Sequence, residues 1–600
     1  MSGSWIRPKE STFRTGLKLF NTLTQSKEEF FTSSGDRRVY WYMCGPTVYC
    51  DTHMGHARTY ITSDVIRRIL TDYFGYQVTL CMNITDIDDK IINTSAKLSI
   101  PWDEFARNWE EKFFEDMEKV NVRRPDILTR VSEYVPEIIT YVDKIIQNNY
   151  AYVSNGSVYF DTEFFKKTHN YIKLEPSAQD DVEAMQVAEG NTDVNSTEKK
   201  RIQDFALWKK SKAGEPFWQS PYGEGRPGWH IECSVMSSDV LPCPIDIHSG
   251  GIDLRFPHHD NEIAQCEAYF ECQQWVNYFL HTGHLHIHGR KMSRSLKNFI
   301  TIKEILKEYT SRQLRMFFLL HKWDGTINYS ETSLQESIGK EKQFKEFLMN
   351  TTAALRNLSL KTPQKPNEED RILLRSLENC RVKIHEALCD NLSTDRAIDE
   401  LSILVNKSNI YLQGHPRYLV LSNIRGYVLK TLEMFGLEYS EDNKTSDFDP
   451  LMDILSGYRE KVRSAAREKN FAEIFKVSDL IRDADLPKLG IILEDVGKEG
   501  SRWKKGNPDE IAIEIERKNK EEEKKRVQEE EKKKKQEEMR LEKEAKMKIK
   551  AEEMFRDDPK YSQWDEKGIP THYADGKPVS KSEGKKLIKL WEKQKALNSN

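Results

Sequence analysis

Two histidines three positions apart follow an apolar stretch near the start of the chain. Residues 44–58 read CGPTVYCDTHMGHAR, with Gly55 between His53 and His56, and Cys44 nine residues ahead of His53. Imidazole N–H groups can donate hydrogen bonds to phosphate oxygens whose charge grows in a transition state. The N-terminus of a helix also attracts phosphate. The stretch therefore predicts a nucleotide-binding turn between a strand and a helix.

A second stretch, 284–305, supplies cations. It reads HLHIHGRKMSRSLKNFITIKEI and places Lys291 and Arg294 in a glycine-led loop, with a helix expected to begin near Thr301. Lysine and arginine bind phosphate well, but a basic loop alone is also a common surface feature. Together with the two histidines, the loop predicts nucleotidyl transfer, in which a carboxylate attacks ATP, pyrophosphate leaves and an adenylate forms.

Four further residues could bind a metal ion. His258 and Glu262 stand four apart in FPHHDNEIAQCEAYF (256–270), where a helix is expected to begin at the proline. With Cys44 and Cys233 they would make a donor set that suits Zn²⁺. The residues alone leave a purely structural role open, because free cysteines are often small buried apolar residues and a His–Glu pair can be a helix-surface hydrogen bond. The long stretches of chain between Cys44, Cys233 and His258 also differ from the ligand spacing of a zinc finger.

The elements around the histidines predict a parallel sheet. RRVYWYMCG (37–45) is typical of a buried strand, residues 57–75 have apolar positions near helical spacing and end at Gly75, and 76–83 is a second strand. A strand–helix–strand unit makes a right-handed crossover between parallel strands. Ligands bind at the carboxyl ends of such strands, which is where Cys44 and the histidines would lie. Parallel-sheet character resumes around 243–262.

The predicted fold class is α/β. A Rossmann-like parallel-sheet domain is expected from residues 1–94 and 216–330, interrupted by a connective insertion at 95–215. Within the insertion, the acid-rich stretch 177–200 is expected to be a surface loop. From 335 to 500, proline and glycine become rare and apolar residues recur at helical spacing, which predicts an α-helical bundle domain.

The last hundred residues are predicted to be a charged helical arm and C-terminal extension. In residues 514–556 glutamate precedes lysine at i,i+4, for example Glu521 and Lys525, but apolar residues are too sparse for a coiled coil. A solvated single helix or a partly disordered arm is expected. The last 40 residues contain two tryptophans and a lysine-rich stretch. This segment would suit docking to a protein or contact with RNA.

The composition limits the class of protein. The net charge is −4 and the pI about 6.5, so any nucleic-acid contact must come from local basic patches. Nine cysteines scattered through a long chain favour reduced thiols or metal ligands over a disulfide framework. The chain has no signal-peptide core and no apolar run long enough to span a bilayer. We expect a cytoplasmic protein without a membrane partner.

The motifs resemble those of a known family. HMGH at 53–56 and KMSRS at 291–295 resemble the HIGH and KMSKS signatures of class I aminoacyl-tRNA synthetases. CGPTVYCDTHMGHAR, NITDIDDKII, GWHIECSVM, DIHSGGIDLRFPHHDNEIAQ and GRKMSRSLKNF, in this order, are similar to cysteinyl-tRNA synthetases. The resemblance covers about residues 15–500, and the extension is similar to that of eukaryotic cytoplasmic members.

The resemblance implies roles for particular residues. Those implied to bind ATP and to catalyse its reaction are His53, Gly55, His56, Lys291 and Arg294. Those implied to surround the amino acid are Gly45, Thr85, Trp229 and His258. Those implied to hold one zinc ion per chain are Cys44, Cys233, His258 and Glu262. Two departures stand out: Arg294 replaces the second signature lysine, and Asn93 replaces a residue that is basic in many members.

The resemblance also implies substrates and partners. These are L-cysteine, ATP with Mg²⁺, and tRNA(Cys), with the bundle reading the anticodon and ending near Trp503. No editing domain is expected, and the insertion would contact the acceptor stem. A homodimer, or protein partners docked on the extension, would also fit. Two alternatives are a ligase that transfers cysteine to an amine of a small molecule, and a non-catalytic scaffold, against which the intact HMGH and KMSRS argue.

Overall fold

The computed structural model describes most of the chain. The described residues are 5–178, 198–287, 289–292, 298–358, 360, 363–439, 459, 463, 482–483, 486–487, 490–495 and 500–598. Compact packing divides the chain into one unit of residues 1–507 and a second of residues 508–600. No helix among these described ranges is long and apolar enough to cross a membrane.

A five-stranded parallel sheet forms the centre of the first unit, as predicted. Across the sheet, the strands are Val276–Thr282, Ile245–Gly251, Arg38–Met43, Gln77–Ile84 and Ile127–Arg130. Their apolar side chains are largely buried, as is usual where both faces of a parallel sheet are covered. Numbered in chain order and counted from the edge strand Ile127–Arg130, the strands have the 3-2-1-4-5 arrangement of a doubly wound sheet. The topological switch lies between Arg38–Met43 and Ile245–Gly251.

The helix predicted within 57–75 is present and begins slightly earlier. It spans Met54–Arg68 and continues through a wider turn, Ile69–Tyr73, before Gly75 turns the chain with φ +75°. His53 caps its N-terminus, since the His53 ring nitrogen accepts hydrogen bonds from the backbone N–H groups of Gly55 and His56. The histidines therefore lie at the helix start, next to the strand Arg38–Met43.

One strand of the central sheet comes from residues 95–215, which were predicted to form the connective insertion. Ile127–Arg130 lies inside that range, yet it pairs with Gln77–Ile84 as an edge of the central sheet. The strand has four residues and no alternation to reveal it, so sequence reasoning placed it in the insertion. The helices between strands Gln77–Ile84 and Ile127–Arg130 are Asp89–Leu98 and Trp102–Lys119.

A separate antiparallel sheet follows the fifth strand. Its strands are, in order, Ala151–Ser154, Ser157–Phe160, Phe205–Lys210 and Gly225–Pro227. The helices beside it are Val135–Gln147 and the short Thr162–Phe165. This sheet extends past residue 215, where the insertion was expected to end. The predicted surface loop at 177–200 lies almost entirely outside the described residues.

The α-helices and strands that remain among the described residues up to 330 are four helices, a small sheet and a hairpin. The helices are Trp229–Val240, Asp260–Phe270, Ile302–Glu308 and Ser311–Leu319. A small sheet contains Leu285–Ile287, Arg290–Lys291 and Ile327–Tyr329, and an N-terminal hairpin pairs Lys18–Asn21 with Ser26–Glu29. The helix expected near Thr301 therefore begins there, with Thr301 as its capping residue.

The helical region predicted after residue 335 is present. Its four helices among the described residues are Glu331–Asn357, Glu368–Cys389, Thr394–Tyr411 and Tyr418–Met434. Near its end, a hairpin pairs Ile491–Asp495 with Ser501–Lys505, and Trp503 is buried beneath the guanidinium of Arg356. Because Ser501–Lys505 belongs to this hairpin, the C-terminal unit begins at 508 and not at 501.

The C-terminal unit contains the predicted charged helix, Pro508–Lys548, whose described side chains are mostly exposed. A hairpin of Tyr561–Trp564 and Pro570–Tyr573 and the helix Lys581–Asn598 follow. They share a small apolar core of Phe555, Tyr561, Ile569 and Leu587. The last residues thus form a folded module of their own.

Candidate active site and metal centre

The site lies at the topological switch of the central sheet. Cys44 directly follows the strand Arg38–Met43, and its backbone N–H donates to the carbonyl of Ser249 on the neighbouring strand (3.1 Å). From these two strands the chain leads in opposite directions across the sheet, which opens a crevice at their carboxyl ends. A cleft of about 1160 Å³ is found here. Predicted residues that line it are Cys44, Gly45, His53, Gly55, His56, Thr85, Trp229, Cys233 and His258.

The four predicted metal ligands meet at this cleft. The sulfur of Cys44 lies 3.8 Å from that of Cys233 and 3.7 Å from Oε1 of Glu262, and Nε2 of His258 lies 3.0 Å from the same oxygen. One possible donor atom from each of the four side chains lies within 4.8 Å of the others. Their exposed fractions are 5%, 3%, 1% and 0% for Cys44, Cys233, His258 and Glu262. The arrangement could hold a metal ion.

Three elements position these donors besides the strand end at Cys44. Cys233 lies in the helix Trp229–Val240, His258 in the turn Arg255–His259, and Glu262 in the first turn of the helix Asp260–Phe270. The helix Asp260–Phe270 begins later than the start expected at Pro257, but His258 and Glu262 still face each other across one turn.

The donor cluster contains ionised groups of both signs. Burial raises the pKa of the Cys44 thiol well above its usual value. Burial opposes ionisation of Cys233 too, but the hydrogen bond from Cys44 and the nearby imidazole of His258 lower its pKa to about 6. Burial likewise opposes ionisation of Glu262, yet His248 and His258 lower its pKa to about 2. One thiolate and one carboxylate therefore face the imidazole of His258. Burial lowers the pKa of His258, but the neighbouring Glu262 and Cys233 raise it to about 10. A metal ion would take the place of the proton on that imidazole.

A second group of donors lies behind the first. Cys44, His248, His259 and Glu262 also fall within 4.8 Å of one another. Nε2 of His248 bonds to Oε2 of Glu262 (2.8 Å), and Nδ1 of His259 bonds to Nε2 of His281 (2.8 Å). Neither His248 nor His259 lines the cleft, whereas Cys44, Cys233 and His258 do. The set that contains Cys233 and His258 is therefore the one a substrate can reach.

The ring of His258 is held by two neighbours. Its Nδ1 shares a hydrogen bond of 2.9 Å with Nδ1 of His230, and Trp229 stacks on it with ring centroids 4.5 Å apart and an interplanar angle of 22°. These contacts leave Nε2 directed at the donor cluster. Orientation of a ligating imidazole through its other nitrogen is a common feature of metal sites.

The predicted amino-acid pocket adjoins the cluster. The backbone N–H of Gly45 donates to Oδ1 of Asn83 (2.8 Å), and a Cβ on Gly45 would lie 1.6 Å from the backbone oxygen of Asn83. The hydroxyl of Thr85 donates to Oε2 of the buried Glu232 (3.3 Å). Gly45, Thr85 and Trp229 therefore lie together beside the donors, at a point where only glycine fits position 45.

The two signature histidines also line the cleft, and their rings stack on each other. The rings of His53 and His56 are 3.7 Å apart with an interplanar angle of 19°. The segment that follows the KMSRS motif pairs with their turn, since Met54 N–H donates to the Ile300 carbonyl and Ile302 N–H to that of Thr52, both at 3.0 Å. The turn of the first signature is thus joined by backbone hydrogen bonds to the segment that follows the second, although more than 230 residues separate the two in the chain.

The structure describes the KMSRS motif in part. The backbone of Lys291 pairs with His286 in the small sheet, and Met292 lines the cleft. Arg294 and the side chain of Lys291 lie outside the described residues, so their roles remain predictions.

Several residues of the site were not predicted from the sequence. They are Arg58, Asn83, Glu232, Met292, Phe299 and the supporting histidines His230, His248, His259 and His281. Arg58 and Glu232 lie inside quoted motifs next to predicted residues, which was the available signal. The histidines come from distant strands and helices, so spacing could not group them.

Comparison with known proteins agrees with this geometry. The family model described as tRNA synthetases class I (C) catalytic domain matches residues 30–339. Cysteine–tRNA ligase, cytoplasmic, of Dictyostelium discoideum is 46% identical over 620 residues, covering 99% of this chain and 93% of that protein. The proteins of the same name from Gallus gallus and Homo sapiens are 42% and 41% identical, each covering 98% of this chain and 96% of the relative. The chain therefore belongs to the cysteine–tRNA ligase family of class I aminoacyl-tRNA synthetases.

Proposed function

We propose that Cys44, Cys233, His258 and Glu262 hold one zinc ion, and that this site selects cysteine in the reaction of the family. The reaction is the ATP-dependent joining of cysteine to tRNA, and the names of the relatives place it in the cytoplasm. The observation that carries the zinc proposal is the convergence of the two thiols and the imidazole, which line the cleft, with the buried carboxylate of Glu262. Two sulfur donors with one nitrogen and one oxygen fit zinc.

The zinc site would account for rejection of serine. Serine differs from cysteine by one atom, and a pocket that relies on shape discriminates between such substrates by only about 10²-fold. When bound, zinc supplies a soft Lewis acid that prefers thiolate sulfur to a hydroxyl oxygen. The chain contributes the anionic, buried donor set and the close backbone at Gly45, which admits a small side chain beside it. With such a site, no editing domain is needed.

Two steps make up the reaction. In the first, the carboxylate of cysteine attacks the α-phosphate of ATP, which enters with Mg²⁺, and pyrophosphate leaves. We assign His53 and His56 as hydrogen-bond donors to the phosphate oxygens, aided by the N-terminus of the helix Met54–Arg68. Lys291 and Arg294 are proposed to hold the departing pyrophosphate. In the second step, a terminal ribose hydroxyl of tRNA(Cys) takes the cysteinyl group and AMP leaves.

The other domains are proposed to bind the tRNA. The helical region after residue 331 would read the anticodon, and the antiparallel sheet between residues 151 and 227 would contact the acceptor stem. The similarity to tRNA ligases extends over 99% of the chain, including these regions, and this argues against transfer of cysteine to a small amine. The C-terminal unit is the proposed docking segment for a second copy or another protein, and sedimentation of the full chain beside one truncated after residue 507 tests this.

Metal analysis combined with tRNA charging tests the zinc proposal. The wild-type chain should contain one zinc ion and attach radiolabelled cysteine to tRNA(Cys), and Cys233→Ser should lose the metal and bind cysteine more weakly. Cys380→Ser is a matched control, because Cys380 is a buried thiol in the helix Glu368–Cys389. Equal zinc content in wild type and Cys233→Ser would contradict the proposed ligand set.

A further inference from the structure

Two cysteines lie at the edge of the central sheet that is opposite the cleft. The parallel strands Ile245–Gly251 and Val276–Thr282 enter the sheet side by side, with Ile245 paired to Val276 and its N–H donating to the Trp275 carbonyl (3.0 Å). Cys243 lies two residues before the first strand, and Cys272 lies four residues before the second. Both cysteines therefore lie in loops that lead into the amino ends of two neighbouring, paired strands.

The two thiols influence each other's ionisation, and Cys243 has the features of a reactive thiol. The neighbouring thiol of Cys272 lowers the pKa of Cys243, and the neighbouring Cys243 together with burial raises the pKa of Cys272. Cys243 is exposed between two prolines, and Cys272 is half-buried. The amine of Lys173 donates to the carbonyl of Gln273 (2.9 Å) and so brings a positive charge beside Cys272. Accessible thiols with a depressed pKa are the ones that oxidise first.

We propose that Cys243 and Cys272 form a peroxide-sensitive dithiol that closes reversibly to a disulfide. The sulfur of Cys243, as thiolate, attacks one oxygen of hydrogen peroxide, the O–O bond breaks, and the released hydroxide takes a proton to become water. The resulting sulfenic acid is attacked by the sulfur of Cys272, the S–S bond forms, and the sulfenic oxygen leaves as a second water with the proton of Cys272. Two thiols are oxidised and one peroxide is reduced to two waters.

The disulfide would enclose a functional part of the chain. The segment from 244 to 271 contains the strand with His248 and the helix with Glu262, so the bond would tie together the two elements that support the donor cluster. Cys44, Cys233 and Cys266 are buried and less accessible to the oxidant. A cross-link that closes a loop restricts the unfolded chain and raises stability. Oxidation should therefore raise the midpoint of thermal unfolding, and a reductant should restore the original value.

The test is peptide mapping of the full-length chain after brief exposure to hydrogen peroxide and alkylation of free thiols. We expect a non-reduced cross-link between the peptides that contain Cys243 and Cys272, with the loss of two hydrogens, and its disappearance after dithiothreitol. Cys389→Ser should keep the cross-link, since Cys389 is similarly half-buried but lies in the helix Glu368–Cys389.

The single variants separate a dithiol from two independent thiols. Cys272→Ser should accumulate sulfinic and sulfonic acid on Cys243, because the resolving thiol is absent, and Cys243→Ser should leave Cys272 reduced. Cys243→Ala serves as the second variant if the serine substitution unfolds the chain. Over-oxidation of Cys243 at the same rate in wild type and Cys272→Ser, without a cross-link, would overturn the proposal.

Discussion

The sulfur of Cys233 lies 3.8 Å from the sulfur of Cys44, although 189 residues separate the two cysteines in the chain. The doubly wound sheet makes this contact possible, because Cys44 ends the strand next to its topological switch and Cys233 lies in a helix that packs beside it. Glu262, from the neighbouring helix, and His258, from the turn just before that helix, complete the cluster. Substitutions in this cluster, and in the contacts that support the two signature motifs, should therefore have distinct effects.

Replacement of Glu262 by glutamine should disrupt the cluster. Both carboxylate oxygens are buried, one near Nε2 of His258 (3.0 Å) and one bonded to Nε2 of His248 (2.8 Å). Loss of the charge leaves the imidazoles without their partner, and breaking a buried ion pair costs about 3–5 kcal/mol. We expect the free energy of unfolding to fall by that amount in denaturant titrations and the bound metal to be lost. Glu271→Gln, an exposed change at the end of the same helix, should alter neither quantity.

Replacement of Gly45 by alanine should close the amino-acid pocket. The added Cβ would lie 1.6 Å from the backbone oxygen of Asn83, so the end of one strand must shift. A displacement of about 1 Å near reacting groups can cost roughly 10²-fold in rate. We expect cysteine-dependent pyrophosphate exchange to fall by about that factor. Gly339→Ala is the control, since nothing lies within 4 Å of its added Cβ, and equal rates for the two variants would contradict the assignment of Gly45.

Replacement of Arg58 by lysine should weaken the use of ATP. The buried guanidinium donates to the carbonyls of Lys322, Trp323 and Gly325, and so joins the helix of the first signature to the loop beside the cleft. Lysine cannot reproduce these bonds because its charge has no planar fork. Since a hydrogen bond to a charged group contributes about 1.5–3 kcal/mol, we expect a loss of stability of that order, with a higher KM for ATP.

Arg107→Lys, on the exposed side of the helix Trp102–Lys119, is the matched control for Arg58. Pyrophosphate exchange over a range of ATP concentrations distinguishes the variants. An unchanged KM for ATP in Arg58→Lys, with stability reduced, would restrict Arg58 to a purely structural role.

Glu267 should make stability depend on pH. Burial raises its pKa from the ordinary 4.5 to about 8, although the amine of Lys173 lies 2.5 Å away. The folded chain therefore holds this proton over a pH range in which the unfolded chain has lost it. Its contribution is complete below pH 4.5 and is lost as pH rises towards 8. The slope is at most about 1.4 kcal/mol per pH unit.

Denaturant titrations of wild type and Glu267→Gln across this pH range measure the contribution of Glu267. The free energy of unfolding of wild type should fall more steeply with pH than that of the variant. Glu271→Gln, from the exposed end of the same helix, should follow the wild-type curve. Identical slopes for wild type and Glu267→Gln would show that Glu267 ionises normally in the folded chain.

Local pattern was enough to predict the elements that carry the signature residues. Apolar residues before Cys44 indicated a buried strand, and the spacing after His56 indicated a helix ending at Gly75; both are present. The i,i+4 spacing of His258 and Glu262 also predicted their contact, because one helical turn brings such side chains together.

Features that depend on distant partners could not be predicted in this way. The strand Ile127–Arg130 is recognisable only by its pairing with Gln77–Ile84, and the hairpin at Trp503 only by the pairing of its two short strands. The bond between His230 and His258 joins two separate helical segments, and no spacing rule relates them. The resemblance supplied the ligand set that the spacing of Cys44 and Cys233 had left open.

Zinc X-ray absorption of the purified chain, with and without cysteine, tests the central claim most directly. We predict a zinc ion with two sulfur neighbours at about 2.3 Å and two lighter neighbours. Addition of cysteine should increase the number of sulfur neighbours, and addition of serine should leave it unchanged. A chain that contains no zinc, or whose zinc has the same sulfur neighbours with and without cysteine, would contradict selection of the substrate through its thiol.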